Sequence, residues 1–214
     1  MNNLNYYAEQ VVWQEVPEHT SLAFTICGCP IGCKGCHSAE SWPENSGYPL
    51  SVEMLHDKLL KYSGLISCVL FLGGEWHPAL LKELLLLCKK HRLHTCLYTG
   101  LELREIPTNL IDALDFVKTG PWKKEFGPLG SPSGNQRFYD LKNRRDLTWK
   151  FQSPQHHDSQ FHRMTSDSDM TLFRDMPEKP APSHDNTVEN ENISFVYIDT
   201  VSYTHLRAHE TDSY

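Results

Sequence analysis

The chain has 214 residues, of which 39% are hydrophobic and 22% charged, and this length suits one main domain with a substantial core. Its formal net charge of −7 arises beyond residue 150, because residues 1–150 carry 16 acidic and 16 basic side chains. The sequence contains no basic patch that would indicate a nucleic-acid partner. It also contains no run of about 18 apolar residues that would indicate a membrane span. The first residues also lack the basic and apolar regions of a signal peptide, so we expect a cytoplasmic protein.

Seven cysteines are present, and an odd number of thiols in a reducing compartment predicts metal ligands and buried thiols rather than disulfides. Cys29, Cys33 and Cys36 follow one another at spacing C-x3-C-x2-C, with glycine and proline between them. This spacing leaves three interpretations open: an iron–sulfur cluster with one iron that lacks a protein ligand, a zinc site completed by His37, or unliganded thiols. The other cysteines, predicted to be core thiols, are Cys27, Cys68, Cys88 and Cys96.

The elements predicted along the chain alternate between strands and helices. An edge strand or hairpin over residues 11–20 leads into a buried strand over residues 22–27, which ends just before the cysteine loop. After a loop over residues 41–49 come a helix capped by Ser51, a strand over 66–72, a helix from Pro78, a strand over 93–98, a short helix near 109–114, a strand over 116–118 and a last short strand near 139.

Alternating strands and helices with short links predict right-handed crossovers and a parallel sheet. We therefore predict an α/β fold, an incomplete open (β/α) barrel, over residues 1–146. In such sheets the ligand sites gather at the carboxyl ends of the strands. The segments that follow predicted strand ends are the cysteine loop, Gly73-Gly74-Glu75, Thr99-Gly100 and Thr119-Gly120, and we expect them on one rim.

Beyond this domain the composition changes. Residues 147–200 are polar and lack sustained hydrophobic periodicity, so we predict a disordered tail, because so few apolar groups cannot offset the entropy cost of ordering it. Residues 201–214 resemble translated sequencing-adapter sequence, and we expect an artefact there with no bearing on fold or function.

The cysteine triplet and the Gly73-Gly74-Glu75 segment, each after a predicted strand, resemble the two signatures of the radical S-adenosylmethionine superfamily. Within that superfamily, residues 5–139 are similar to the activating proteins of anaerobic ribonucleoside-triphosphate reductase. That similarity is carried by Gly35 before the last cysteine, by Tyr98-Thr99-Gly100 and by residues 133–137. It implies a barrel of the radical S-adenosylmethionine type.

The resemblance also implies a set of cofactor ligands. The implied ligands of a 4Fe–4S cluster are Cys29, Cys33 and Cys36. The residues implied to bind S-adenosylmethionine are Gly73, Gly74, Glu75, Thr99 and Gly120. Glycines let backbone approach a ligand closely, and a carboxylate complements the ammonium group of the methionine end.

The reaction that the resemblance implies is reductive cleavage of S-adenosylmethionine to a 5′-deoxyadenosyl radical, which generates a glycyl radical on the large subunit of anaerobic ribonucleoside-triphosphate reductase. The implied electron donor is a flavodoxin or ferredoxin, and no catalytic side chain is needed beyond the cluster and the cofactor. Two alternatives remain: a small radical enzyme acting on a free metabolite, similar to 7-carboxy-7-deazaguanine synthase, and a non-enzymatic zinc-binding module. Gly35 and the short barrel favour a protein partner.

Overall fold

The computed structural model of the protein describes residues 4–152. In this part of the chain the strands are β1 (Leu4–Val12), β2 (Ser21–Ile26), β3 (Tyr48–Leu50), β4 (Cys68–Leu72), β5 (His94–Tyr98), β6 (Phe116–Thr119), β7 (Arg137–Asp140) and β8 (Arg145–Asp146). The α-helices are α1 (Val52–Lys61), α2 (Pro78–Lys90) and α3 (Thr108–Ile111). Short 3-10 helices lie at Ala39–Ser41, Leu103–Glu105, Lys124–Phe126 and Thr148–Phe151.

All of these strands join one open sheet in the order β3-β1-β2-β4-β5-β6-β7-β8. The four central strands β2, β4, β5 and β6 are parallel, whereas β1 and β3 at one edge and β7 and β8 at the other are antiparallel to their neighbours. The α/β prediction is confirmed, and a mixed open sheet with few helices is consistent with an incomplete barrel. The predicted parallel pairing holds for the central strands only.

The central strands are largely buried on both faces, which explains their mostly apolar sequences. One face packs against the helices, where Phe24 and Phe71 contact a core that includes Leu81 and Leu85 of α2. The opposite face forms a second cluster that includes Leu70, Cys96 and Phe138. The four cysteines predicted as core thiols are all buried, and burial raises the pKa of Cys68 to about 12, so that it stays a neutral thiol.

The two longer helices begin where their sequences predict, whereas the short helix predicted near 109–114 spans Thr108–Ile111. The Ser51 hydroxyl accepts a hydrogen bond from the backbone N–H of Met54 at 3.2 Å, which satisfies one free donor in the first turn of α1. Pro78 occupies the first turn of α2, where its missing N–H costs nothing. At 13 residues α2 is far below the roughly 20 needed to span a bilayer, and no helix within residues 4–152 is long and apolar enough to do so.

The edges of the sheet differ most from the sequence prediction. The β1–β2 hairpin is present, but β1 begins at Leu4 and ends at Val12, earlier than the predicted span of residues 11–20. The short strand β3 lies at the end of the predicted loop over residues 41–49, and β8 was not predicted. These strands are short or half exposed, so their sequences carry no clear alternation of apolar and polar residues.

The packed chain continues beyond the predicted boundary at residue 146. The 3-10 helix Thr148–Phe151 covers one face of the sheet, where the rings of Phe151 and Phe138 have centroids 5.1 Å apart. The rest of the predicted tail and the predicted artefact at 201–214 lie outside the described residues.

Candidate active site

A cleft lies at the carboxyl ends of the four parallel strands, between those ends and the cysteine loop. Of the predicted site residues, those that line it are Cys29, Cys33, Cys36, Gly73, Glu75, Thr99 and Gly120. They meet there because parallel strands that start together also end at one edge of the sheet. Gly74 does not line the cleft, since a Cβ at this position would instead contact the side chains of Ile26 and Leu81.

The cysteine loop leaves β2 and folds back through a tight turn. The backbone N–H of Cys36 donates to the carbonyl of Cys33 at 3.0 Å, and Gly35 between them has a φ of 74°, a conformation that side chains rarely adopt. The N–H of Ser38 donates to the Cys36 sulfur at 3.4 Å. All three thiols are partly exposed, so the loop presents sulfur towards the cleft.

Three thiols on one loop form a donor set suited to a soft metal or an iron–sulfur cluster. Within residues 4–152, however, no group of three or more His, Cys, Asp and Glu side chains is close enough to hold a metal ion. A 4Fe–4S cluster is larger than a single metal ion, so the thiols that would hold it need not converge on one point. His37 packs its ring against Trp122 with centroids 5.4 Å apart, and it does not complete a zinc site with the thiols.

Glu75 is the acidic group of the cleft, and only 6% of it is exposed. The Thr99 hydroxyl donates to Glu75 Oε1 at 2.5 Å, whereas Oε2 is buried without a hydrogen-bond partner among the described residues. Burial raises the pKa of the Glu75 carboxyl, and the hydrogen bond from Thr99 opposes that rise. A buried acceptor without a donor is costly, so this oxygen fits a ligand that brings a cation or a hydrogen-bond donor.

A family model for the 4Fe-4S single cluster domain matches residues 19–138, which is more than half of this chain. The chain belongs to that family. The match includes the cysteine loop and all four parallel strands, so the cleft lies entirely within this 4Fe-4S domain.

A segment of this 4Fe-4S family member is also similar to a curated protein. Over 79 residues it is 35% identical to the pyruvate formate-lyase-activating enzyme of Clostridium pasteurianum. The matched segment covers 34% of this chain and 33% of that relative, so the chain spans about a third of the length of the curated relative that it matches.

Lys118 is a cleft residue of the 4Fe-4S domain that the sequence analysis missed. Its ammonium group donates to the carbonyl of Gly120 at 3.3 Å and lies 5.9 Å from the centre of the Tyr98 ring. Burial lowers the pKa of Lys118 to about 8, while negative charge on Cys33 and Cys36 acts in the opposite direction. A lysine in a strand flanked by buried residues was the signal that could have revealed it.

Trp42, Trp76 and Trp122 line the cleft, and the sequence analysis missed the last two. Trp76 packs its indole against Gly73, where a Cβ would lie 2.5 Å from ring atom Cη2. The Nε1 atoms of Trp42 and Trp76 are buried without partners among the described residues. The cleft of this 4Fe-4S domain therefore combines apolar walls with one free carboxylate oxygen and one ammonium group.

Proposed function

We propose that this 4Fe-4S protein is a radical S-adenosylmethionine activase that installs a glycyl radical on the large subunit of anaerobic ribonucleoside-triphosphate reductase. Membership of a single-cluster family supports an iron–sulfur protein, and the similarity to an activating enzyme over 79 residues supports an activase. The choice of reductase as partner rests on the resemblance in the sequence. We also propose a cytoplasmic location and a flavodoxin or ferredoxin as the electron donor.

One observation carries the proposal: the three thiols share their cleft with a buried carboxylate whose Oε2 atom lacks a partner. A cluster held by three cysteines has one iron free for another ligand. An amino-acid moiety that reaches that iron would bring an ammonium group, which Glu75 is placed to receive through a charge-assisted hydrogen bond. A zinc module would have no use for the buried free carboxylate oxygen.

The residues of this chain have distinct roles in the proposed reaction. Cys29, Cys33 and Cys36 would hold a 4Fe–4S cluster, and Glu75 would hold the methionine end of S-adenosylmethionine. A bound 4Fe–4S cluster, once reduced by the electron donor, would supply the single electron for reductive cleavage of S-adenosylmethionine, and the radical chemistry would be directed at the glycine of the partner. Lys118 would place a positive charge beside the thiolates.

Gly73→Ala should reduce the affinity for S-adenosylhomocysteine, a non-cleavable probe, by at least about tenfold. The added Cβ would collide with the Trp76 ring at 2.5 Å, and φ at Gly73 is 95°, so both the backbone and the cleft wall must shift. Isothermal titration of the anaerobically reconstituted protein measures the change in affinity.

Gly64→Ala is the matched control, because Gly64 also has a positive φ, 76°, but a Cβ there meets no atom within 4 Å. It should cost about 1 kcal/mol of stability through the backbone alone and leave the affinity unchanged. Equal affinities of the Gly73 variant and the unmodified protein would contradict the assigned position of the ligand.

Electron spin resonance tests the proposed partner directly. The reconstituted protein is mixed anaerobically with the large subunit of an anaerobic ribonucleoside-triphosphate reductase, with S-adenosylmethionine and with a reductant. We expect a glycyl doublet, and we expect none when the radical-bearing glycine of the reductase is replaced by alanine.

The other outcomes of that experiment separate the alternatives. Absence of the doublet, with an intact cluster and formation of 5′-deoxyadenosine, would indicate a small radical enzyme that acts on a free metabolite. Stoichiometric zinc with no iron would indicate a zinc-binding module and end the activase proposal.

A further inference from the structure

The hydroxyl group of Thr99 connects two parts of the cleft. Thr99 follows β5 and is 4% exposed. Its Oγ1 atom accepts a hydrogen bond from the backbone N–H of Leu101 at 3.0 Å and donates one to Glu75 Oε1 at 2.5 Å. The Glu75 carboxylate, which follows β4, is therefore held by the Thr99 hydroxyl, and that hydroxyl is held in turn by the backbone N–H of Leu101.

The direction of these two hydrogen bonds is set by the chemistry of the groups. A backbone N–H can only donate, so Leu101 occupies one of the two lone pairs of the Thr99 hydroxyl. An ionised Glu75 can only accept, so the single hydroxyl proton is donated to its carboxylate. That proton satisfies Oε1, and Oε2 is the oxygen left without a partner. The arrangement fixes which carboxylate oxygen is available and in which direction its lone pairs point.

We propose that Thr99 is a positioning residue, which orients the Glu75 carboxylate so that Oε2 receives the ammonium group of a ligand carrying an α-amino acid moiety. This inference rests on the proposed function, because S-adenosylmethionine is such a ligand. Thr99 acts through Glu75, so the contribution of Thr99 to ligand affinity should disappear when Glu75 can no longer pair with an ammonium group.

The neighbouring strand offers an internal comparison. Thr119 ends β6, is buried to a similar degree and is likewise followed by glycine. It does not line the cleft, whereas Thr99 does. If buried threonines at strand ends only support the fold, the two positions should behave alike, so Thr119→Val is the matched control.

The test is isothermal titration of the anaerobically reconstituted protein with S-adenosylhomocysteine and with its desamino analogue, which lacks only the amino group. Thr99→Val should weaken S-adenosylhomocysteine binding about tenfold, the usual size for a lost hydrogen bond to a charged group. Thr99→Ser keeps the hydroxyl and should bind normally, and Thr119→Val should also bind normally. The desamino analogue should bind equally to the unmodified protein and to Thr99→Val.

A double-variant comparison separates positioning from support of the fold. In the Glu75→Gln background, Thr99→Val should cause no further loss of S-adenosylhomocysteine affinity. Should Thr99→Val not fold, Thr99→Ala, which leaves room for water beside Leu101, replaces it in the same measurements.

Three results would overturn the inference. Equal weakening of both probes by Thr99→Val would indicate a general structural role, and unchanged binding of S-adenosylhomocysteine would show that Thr99 is dispensable. A full additional loss in the Glu75→Gln background would show that Thr99 does not act through Glu75. In each case the proposed function stands if Glu75→Gln weakens binding, whereas failure of the unmodified protein to bind S-adenosylhomocysteine would overturn both.

Discussion

Replacement of Cys29, Cys33 or Cys36 by alanine, one at a time, should remove most of the bound iron and abolish cleavage of S-adenosylmethionine. A cluster with three protein ligands has none to spare, because one iron already lacks a cysteine. The unmodified protein should carry about four irons with matching sulfide after anaerobic reconstitution. Iron and sulfide analysis and the near-ultraviolet and visible absorption of each variant measure the loss.

Cys27→Ala is the matched control for these three variants. Cys27 lies two residues before Cys29 but is buried, accepts a hydrogen bond from the Ser46 hydroxyl at 3.3 Å and does not line the cleft. We expect full iron content at a cost of about 1–2 kcal/mol in stability. A full cluster in any of the three alanine variants, or its loss only in Cys27→Ala, would contradict the assignment of ligands.

Asp115→Asn should lower the free energy of unfolding by about 3 kcal/mol at pH 7. Asp115 precedes β6, and its carboxylate accepts hydrogen bonds from the backbone N–H of Thr95 at 2.9 Å and from the ammonium group of Lys89, while His94 lies 3.5 Å away. The Asp115 side chain is only 10% exposed, so the buried backbone N–H of Thr95 would lose its charged acceptor and Lys89 would lose its ion-pair partner. Anaerobic urea unfolding of the reconstituted protein measures the change.

The same variant should alter the response to acid. Burial alone would raise the pKa of Asp115, but hydrogen bonds from His94 and Lys89 and the charge of Lys89 hold the pKa well below its ordinary value. A depressed pKa in the folded state contributes stability above the unfolded value of about 3.9, and that stability is lost as the pH falls towards the folded value. Asp115→Asn should therefore reduce the loss of stability below about pH 4.

Asp112→Asn is the control, because Asp112 is exposed and lies three residues away. It should change stability by less than about 0.5 kcal/mol. Equal effects of the two substitutions, or an unchanged acid response of Asp115→Asn, would show that the contacts with Lys89, His94 and Thr95 contribute little.

The centre of the fold could be predicted because its signals are local. The parallel strands are short and mostly apolar, and each of the two longer helices carries its own start signal, Ser51 for α1 and Pro78 for α2. The edge strands β3 and β8 could not be predicted, because two or three residues hold too little pattern. Their pairing depends on neighbours that are distant in the sequence.

The features of the candidate site that have local signals in the sequence could also be predicted. Cys29, Cys33 and Cys36 stand out by their spacing. The rule that ligand sites gather at strand ends led us to expect these cysteines on one rim with Glu75 and Thr99. All five residues line the same cleft. Their roles as ligands of a cluster and of S-adenosylmethionine remain predictions.

Other features of the cleft depend on contacts between separate segments. The hydrogen bond from Thr99 to Glu75 joins residues 24 positions apart, and no spacing rule predicts it. Lys118 was missed because a single lysine near the end of a strand is usually solvated, although its position in a buried strand was a signal in the sequence. Its place in the cleft with Cys33 and Cys36 depends on a distant segment of the chain.

Incubation of the anaerobically reconstituted and reduced protein with S-adenosylmethionine tests the central claim most directly. Chromatography of the products should show 5′-deoxyadenosine and methionine in equal amounts, and none of either in the Cys29→Ala variant. A protein that carries about four irons, binds S-adenosylhomocysteine and still releases no 5′-deoxyadenosine would contradict the claim that this cleft cleaves S-adenosylmethionine.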